Sequence, residues 1–160
     1  MVHLRYILID KIQKIEYNKQ LTAIKNITLS DDIFSDHFLG NPVMPGALLI
    51  ECAAQAGTAL LEISSKHEKK ALLVMVEKAK FRIIVHPGDQ LVVVVDIISK
   101  DDDAARLECS IKVSGKLVAE ARLTFSLHPS EEFYPPDIRN LMLVQYNIWL
   151  RETEIIDNKE

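Results

Sequence analysis

Between Gly46 and Ile63 the chain is apolar or small on nearly every side, and this segment constrains what the rest can build. Leu49, Cys52, Ala56, Leu60 and Ile63 recur every three or four residues, the spacing of one helical face. The other positions are almost all apolar or small too, apart from Glu51, Gln55, Thr58 and Glu62, which fall in one narrow line at helical spacing. A helix apolar nearly all round must be buried, and a sheet wrapped around it is the simplest way to bury it.

The strands for such a sheet are expected on both sides of the helix. Leu107, Cys109, Ile111 and Val113 alternate with Glu108, Ser110 and Lys112. Leu117, Ala119, Ala121, Leu123, Phe125 and Leu127 repeat the pattern opposite Glu120, Arg122, Thr124 and Ser126. A period of two marks a half-buried strand, and Ser114-Gly115 between the runs suits a two-residue hairpin. Leu91 to Ile98 is β-branched and apolar on both faces, as a strand inside a sheet is, and opens at the Pro87-Gly88-Asp89 turn. Ala71 to Val85 reads as one bent strand or two short ones. Ile7 to Tyr17 and Leu21 to Leu29 read as a further hairpin around Asn18-Lys19-Gln20. The expectation is an α+β fold of about six mostly antiparallel strands around one long helix, in a 160-residue chain that suits a single core.

After Leu127 the character changes. His128-Pro129-Ser130 ends the strand and Pro135-Pro136-Asp137 looks like a helix start. Ile138, Leu141, Met142, Gln145, Ile148 and Trp149 are expected to share the packing face of a short helix. Residues 1–127 are therefore read as one domain, and 128–160 as a helical extension packed on it or on a neighbouring subunit.

A net charge of −4 with no basic run argues against a nucleic-acid partner. The apolar run from Tyr6 to Ile9 is too short for the hydrophobic region of a signal peptide. Pro45, Gly46, Glu51, Gln55 and Glu62 make Val43 to Ile63 a poor membrane span. Cys52 and Cys109 sit among apolar neighbours, away from any zinc-ligand spacing, and read as buried thiols in a reducing compartment. The expected setting is the cytoplasm.

The segment from Phe34 to Gly57, FSDHFLGNPVMPGALLIECAAQAG, concentrates the chemistry. It carries His37 in a loop, a Pro/Gly-rich turn, a helix start near Gly46 and Glu51 about one turn into the helix. A histidine titrates near neutral pH and serves as a base. A carboxylate in apolar surroundings holds its proton longer and serves as an acid. Free N–H groups at a helix start can hold an oxygen that becomes enolate-like, and Gly46 would let a ligand come close to the backbone. These are the needs of eliminating water from a β-hydroxyacyl thioester, which requires no metal and no organic cofactor. The same residues also allow plainer readings: a solvated loop histidine, a structural hydrogen bond between Glu51 and Gln55, and a turn shaped by Pro45 and Gly46.

His37-Phe38-Leu39-Gly40-Asn41-Pro42-Val43-Met44-Pro45-Gly46, followed by Glu51 and Gln55, resembles the signature of the bacterial β-hydroxyacyl-[acyl-carrier-protein] dehydratases, HFPGxPVMPG with a downstream ExxxQ. The spacing of fourteen from His37 to Glu51 matches that family. Lys78-Ala79-Lys80-Phe81-Arg82 leading into Pro87-Gly88-Asp89-Gln90-Leu91, then Gly115-Lys116-Leu117-Val118-Ala119-Glu120-Ala121, resemble its second half. The likeness runs from about Tyr6 to Leu127. It implies the hot-dog fold, one central helix in a curved antiparallel sheet. It further implies that His37 takes the α-proton, that Glu51 protonates the leaving hydroxyl, that a N–H near Gly46 holds the thioester carbonyl, and that Gln55 orients Glu51. In that family the histidine and glutamate of one site come from different subunits of a homodimer, often grouped into hexamers. The related dehydratase/isomerases generally carry Asp where this chain has Glu51, so the likeness favours dehydration without double-bond migration. Asp36 and Leu39 depart from the family's usual Gly and Pro, and both flank His37.

The implied partner is an acyl carrier protein bearing a phosphopantetheine-linked chain. Lys78, Lys80 and Arg82 are the basic residues that would meet its acidic surface, or else they line a solvated strand face. Two rivals share the fold: an acyl thioesterase, which would not need His37 in this motif, and a non-catalytic acyl-thioester binding protein.

Overall fold

A computed structural model describes residues 6–34 and 40–157. The apolar segment forms α1 (Gly46–Ser64), and all five residues of its expected core face are buried. By length and composition α1 could cross a membrane, but most of it is buried inside the protein, where it serves as the core helix. Around it runs a seven-stranded sheet. Its strands are β1 (Lys11–Glu16), β2 (Gln20–Asn26), β3 (Lys69–Phe81), β4 (Gln90–Lys100), β5 (Ala104–Val113), β6 (Lys116–Pro129) and β7 (Glu154–Ile156), in the order β3-β6-β5-β4-β2-β1-β7. Every pairing is antiparallel except that of β7 with β1.

The sheet bends around α1 because the ladder slips at several places, between Leu73 and Met75, Val76 and Lys78, Ile97 and Ser99, and Ile111 and Lys112. Each such bulge bends the strand and increases its twist. The β5–β6 hairpin closes at Ser114 (φ 48°) and Gly115 (φ 78°), two left-handed residues whose combined twist matches that of the strands. Leu107, Cys109, Ile111, Leu123 and Phe125 from these strands point inward, as their alternation requires. Burial pushes the thiols of Cys52 and Cys109 up to about 12, which leaves both as inert apolar fillers.

Where α1 lies against β5 and β6, Gly57 is in close contact with the sheet. A Cβ there would stand 3.0 Å from Leu107 Cδ2 and 3.0 Å from Phe125 Cζ. Gly57→Ala would raise helix propensity, but it must push two fully buried side chains apart. The expected outcome is a net loss of about 1 kcal/mol, read as a lower urea midpoint with an unchanged slope.

The tail differs from expectation in two ways. α2 (Pro136–Trp149) begins at the double proline as anticipated, but its buried residues are Tyr146 and Trp149, with Met142 packed alongside. Leu141 and Ile148, assigned to that face, are half exposed. Met142, Tyr146 and Trp149 follow the i, i+4, i+7 spacing of one stripe. Tyr146 takes the inward place because its hydroxyl reaches the buried carboxylate of Glu62, 2.6 Å away. The seventh strand, β7, follows α2. It lies parallel to β1, pinned by Thr153 Oγ1 donating to the Ile12 carbonyl (2.5 Å) and by Lys14 paired with Glu154 (3.0 Å).

Candidate active site

The polar line of α1 meets residues 6–8 at Gln55, and β3 and α2 at Glu62. Glu51, Gln55 and Thr58 are half-buried, and Glu62 at the far end is buried. Gln55 Nε2 donates to Glu51 Oε1 (3.0 Å) and to the Tyr6 carbonyl (2.9 Å), while Gln55 Oε1 accepts the Leu8 N–H (2.9 Å). The Gln55 amide is thus fixed by two backbone groups, and its orientation fixes one oxygen of Glu51. The two side chains are in direct contact, as either an orienting or a purely structural hydrogen bond requires. The arrangement differs from the sequence-based picture of Glu51 as a carboxylate enclosed by apolar helix, because one edge of the side chain opens into a cavity of about 250 Å³ between α1, residues 6–7 and α2.

Gly46 lies elsewhere. The helix start follows Pro45 with no side-chain cap; Leu48 and Leu49 N–H donate to the Pro45 carbonyl (3.0 and 3.2 Å), and the N–H groups of Gly46 and Ala47 have no intrahelical acceptor. Gly46 borders a second cleft, of about 510 Å³, lined by Val43 to Gly46, Leu49 and Phe81 to Val85. A Cβ on Gly46 would sit 3.0 Å from Phe81 Cζ, so glycine is what allows the exposed Phe81 ring to lie over the helix start. Within one chain, Gly46 and Glu51 therefore open into different cavities. The turn into α1 is tied down by Met44 N–H donating to the Val85 carbonyl (2.8 Å) and by His86 Nδ1 donating to the Pro42 carbonyl (3.0 Å). His86 is a fastener of this turn. His37, with Asp36 and Leu39 beside it, lies outside the described residues.

Lys78 and Arg82 both reach Glu120, at 3.4 and 3.0 Å, and the Arg82 guanidinium holds that carboxyl below the usual carboxylate range. Lys80 is exposed between them in sequence. The cluster thus contains its own counter-charge. Two of its three cations are already partly neutralised.

At the buried end of the line, Glu62 Oε1 accepts from Lys70 Nζ (2.7 Å) and from the Ala71 N–H (3.2 Å), and Oε2 accepts from Tyr146 Oη (2.6 Å). Burial lowers the Lys70 affinity for its proton, but the Glu62 carboxylate outweighs it and raises the pKa above the ordinary value. Burial first and the Glu62 charge second hold the Tyr146 phenol protonated well beyond its usual range. Sequence alone put Glu62 on the polar line without a partner. Lys70 and Tyr146 come from β3 and α2, far from it in the chain.

One central helix in a curved antiparallel sheet, with an outward Glu-Gln pair and a glycine helix start, defines a hot-dog protein. Solved structures agree on the fold. The dehydratase heterocomplex ApeI:P of Xenorhabdus doucetiae superposes with a TM-score of 0.65 at 13% identity, covering 89% of this chain and 92% of that one. A thioesterase of Haemophilus influenzae gives 0.59 at 17%, covering 74% and 78%. In sequence, the family described as the FabA-like domain matches residues 2–122. The 3-hydroxyacyl-[acyl-carrier-protein] dehydratase FabZ of Ehrlichia chaffeensis is 41% identical over 118 residues, 74% of this chain and 82% of its own. That of Enterococcus faecalis is 41% identical over 123 residues, 76% of this chain and 87% of its own. The chain belongs to the FabZ family of dehydratases within the FabA-like fold.

Proposed function

We propose that this chain converts 3-hydroxyacyl-[acyl-carrier-protein] to trans-2-enoyl-[acyl-carrier-protein] in fatty-acid or related lipid synthesis. The observation that carries the reading is the Glu51 carboxylate held by Gln55 at the mouth of a cavity, at the ExxxQ positions of a chain that matches FabZ relatives over three quarters of its length. His37 removes the α-proton. N–H groups at the start of α1, at Gly46, stabilise the enolate-like thioester oxygen. Glu51 gives its proton to the departing hydroxyl, so water leaves, and the proton taken by His37 returns Glu51 to its starting state. No cofactor enters this scheme.

The site belongs to a homodimer, with hexamers built from such dimers as the higher assembly. Two features support the pairing. Gly46 and Glu51 open into separate cavities of one chain, so a complete constellation draws on two subunits. β3, at the edge of the sheet, also exposes Leu73, Val74, Met75 and Val76, an apolar strand edge of the kind that pairs with another strand. The acyl carrier protein, delivering the chain on phosphopantetheine, meets Lys78, Lys80 and Arg82. Because Glu120 offsets two of these charges, their role is in encounter more than in tight binding. Residues 1–127 carry the dehydratase and 128–160 form an extension of it, and two buried free thiols fit a cytoplasmic setting.

Absorbance of the conjugated enoyl thioester tests the reaction directly, with acyl-carrier-protein substrates of graded length. The expected result is reversible interconversion in the wild type and a fall of about a hundredfold or more in His37→Ala. Release of free thiol without enoyl signal would move the assignment to thioester hydrolysis, and binding without turnover would move it to an acyl-thioester sensor.

A further inference from the structure

The family match ends at residue 122, and α2 lies beyond it, yet α2 supplies one wall of the cavity into which Glu51 opens. Met142, Gln145, Tyr146 and Trp149 face Glu51, Gln55 and Thr58 across that space. Thr58, Lys70 and Gln145 put polar groups on the wall, but Ile7, Met142 and the rings of Tyr6, Tyr146 and Trp149 leave most of the exposed lining apolar, which suits an aliphatic chain whose polar end stays near Glu51. α2 is also anchored rather than loosely draped. Tyr146 bonds to buried Glu62, its ring lies edge-on to Trp149 with centroids 5.6 Å apart, and the following segment joins the sheet as β7. A wall held this firmly sets a fixed limit to what fits beside it.

We propose that the C-terminal helix is a built-in gauge of acyl length: the chamber between α1 and α2 takes the aliphatic part of the substrate chain, and Met142 with Trp149 sets how far the chain can extend. The proposal rests on the dehydratase reading above and adds to it a specificity role for the extension. Met142 is half-buried on the inner stripe of α2, so its size can change without emptying the core. Met142→Ala lengthens the space and Met142→Phe shortens it. A hydrophobic pocket discriminates by roughly tenfold or more per methylene that no longer fits.

The test measures kcat/KM across saturated 3-hydroxyacyl-[acyl-carrier-protein] substrates from butanoyl to palmitoyl. Met142→Ala is expected to move the optimum to longer chains and Met142→Phe to shorter ones, by about tenfold in the ratio of long to short substrates. An identical length profile in wild type and both variants would overturn the proposal. A second readout does not depend on turnover. Trp149 is the sole tryptophan, so titrating wild-type protein with decanoyl-pantetheine is expected to change its emission saturably, with weaker binding in Met142→Phe. Unchanged emission at concentrations that inhibit turnover would place the chain elsewhere and reject the gauge. If the wild type dehydrates no substrate but the emission still responds, the dehydratase reading fails while the chamber stands.

Discussion

Glu62→Ala is expected to destabilise the protein by about 3 to 5 kcal/mol, the range for removing one partner of a buried ion pair. The Lys70 and Glu62 side chains are only 11% and 6% exposed, so the ammonium left behind stays largely shielded from water. Tyr146 Oη and the Ala71 N–H lose their acceptor in the same step, and α2 loses its anchor. Removing both charges is a different experiment. Glu62→Leu with Lys70→Met replaces the pair by apolar groups of similar length and should recover much of the loss. Urea unfolding at fixed protein concentration reads both variants, and a loss below about 1 kcal/mol for Glu62→Ala would show that the cluster is hydrated and the pair unimportant.

The same cluster gives stability an alkaline limit. Lys70 and Tyr146 both have folded-state pKa values raised above their ordinary 10.5 and 10.0, so the folded protein holds these two protons more tightly than the unfolded chain. Their contribution is full below about pH 10 and drains away as pH rises from there through the folded-state values. Glu62→Gln, which removes the charge but keeps an acceptor, is expected to flatten that decline.

Much of this architecture was legible because it rests on periodicity. The run Leu49, Cys52, Ala56, Leu60, Ile63 reports a buried helix face whatever packs on it, and the alternation from Leu107 to Leu127 reports a hairpin with its inner and outer faces. The site was legible in part for another reason: Glu51 and Gln55 are one helical turn apart, so their contact is local. Long-range contacts left no such trace. Tyr146 and Glu62 are 84 positions apart, and nothing in either neighbourhood marks the other. Periodicity alone therefore places Leu141 and Ile148 beside Met142 and Trp149 on the packing face of α2, and gives no sign of β7, a three-residue strand with no alternation to read. The pairing of Lys78 and Arg82 with Glu120 was hidden likewise, since a cross-strand register decides it.

Glu51→Gln is expected to lower kcat by about a hundredfold to ten-thousandfold while leaving KM near that of the wild type. The amide keeps an oxygen where Gln55 Nε2 now donates to Glu51 Oε1, so the cavity and the fold are preserved and only the transferable proton is lost. Gln55 is a positioning residue, and its removal acts differently. Gln55→Ala frees Glu51 to rotate and leaves the Leu8 N–H and the Tyr6 carbonyl without their partner, so a smaller fall, about tenfold, is expected in kcat together with some loss of stability. The contrast matters because a purely structural Glu51 would give the reverse order, a mild loss for the isosteric amide and a large one for Gln55→Ala. Mixing separately inactive Glu51→Gln and His37→Ala proteins then tests where the two groups meet. If each site takes its histidine from one subunit and its glutamate from the other, mixed dimers contain one intact site and activity returns after subunit exchange. The same recovery would follow if both groups came from one subunit only if the two variants could exchange residues, which they cannot, so an inactive mixture with proven exchange places the complete site within a single chain.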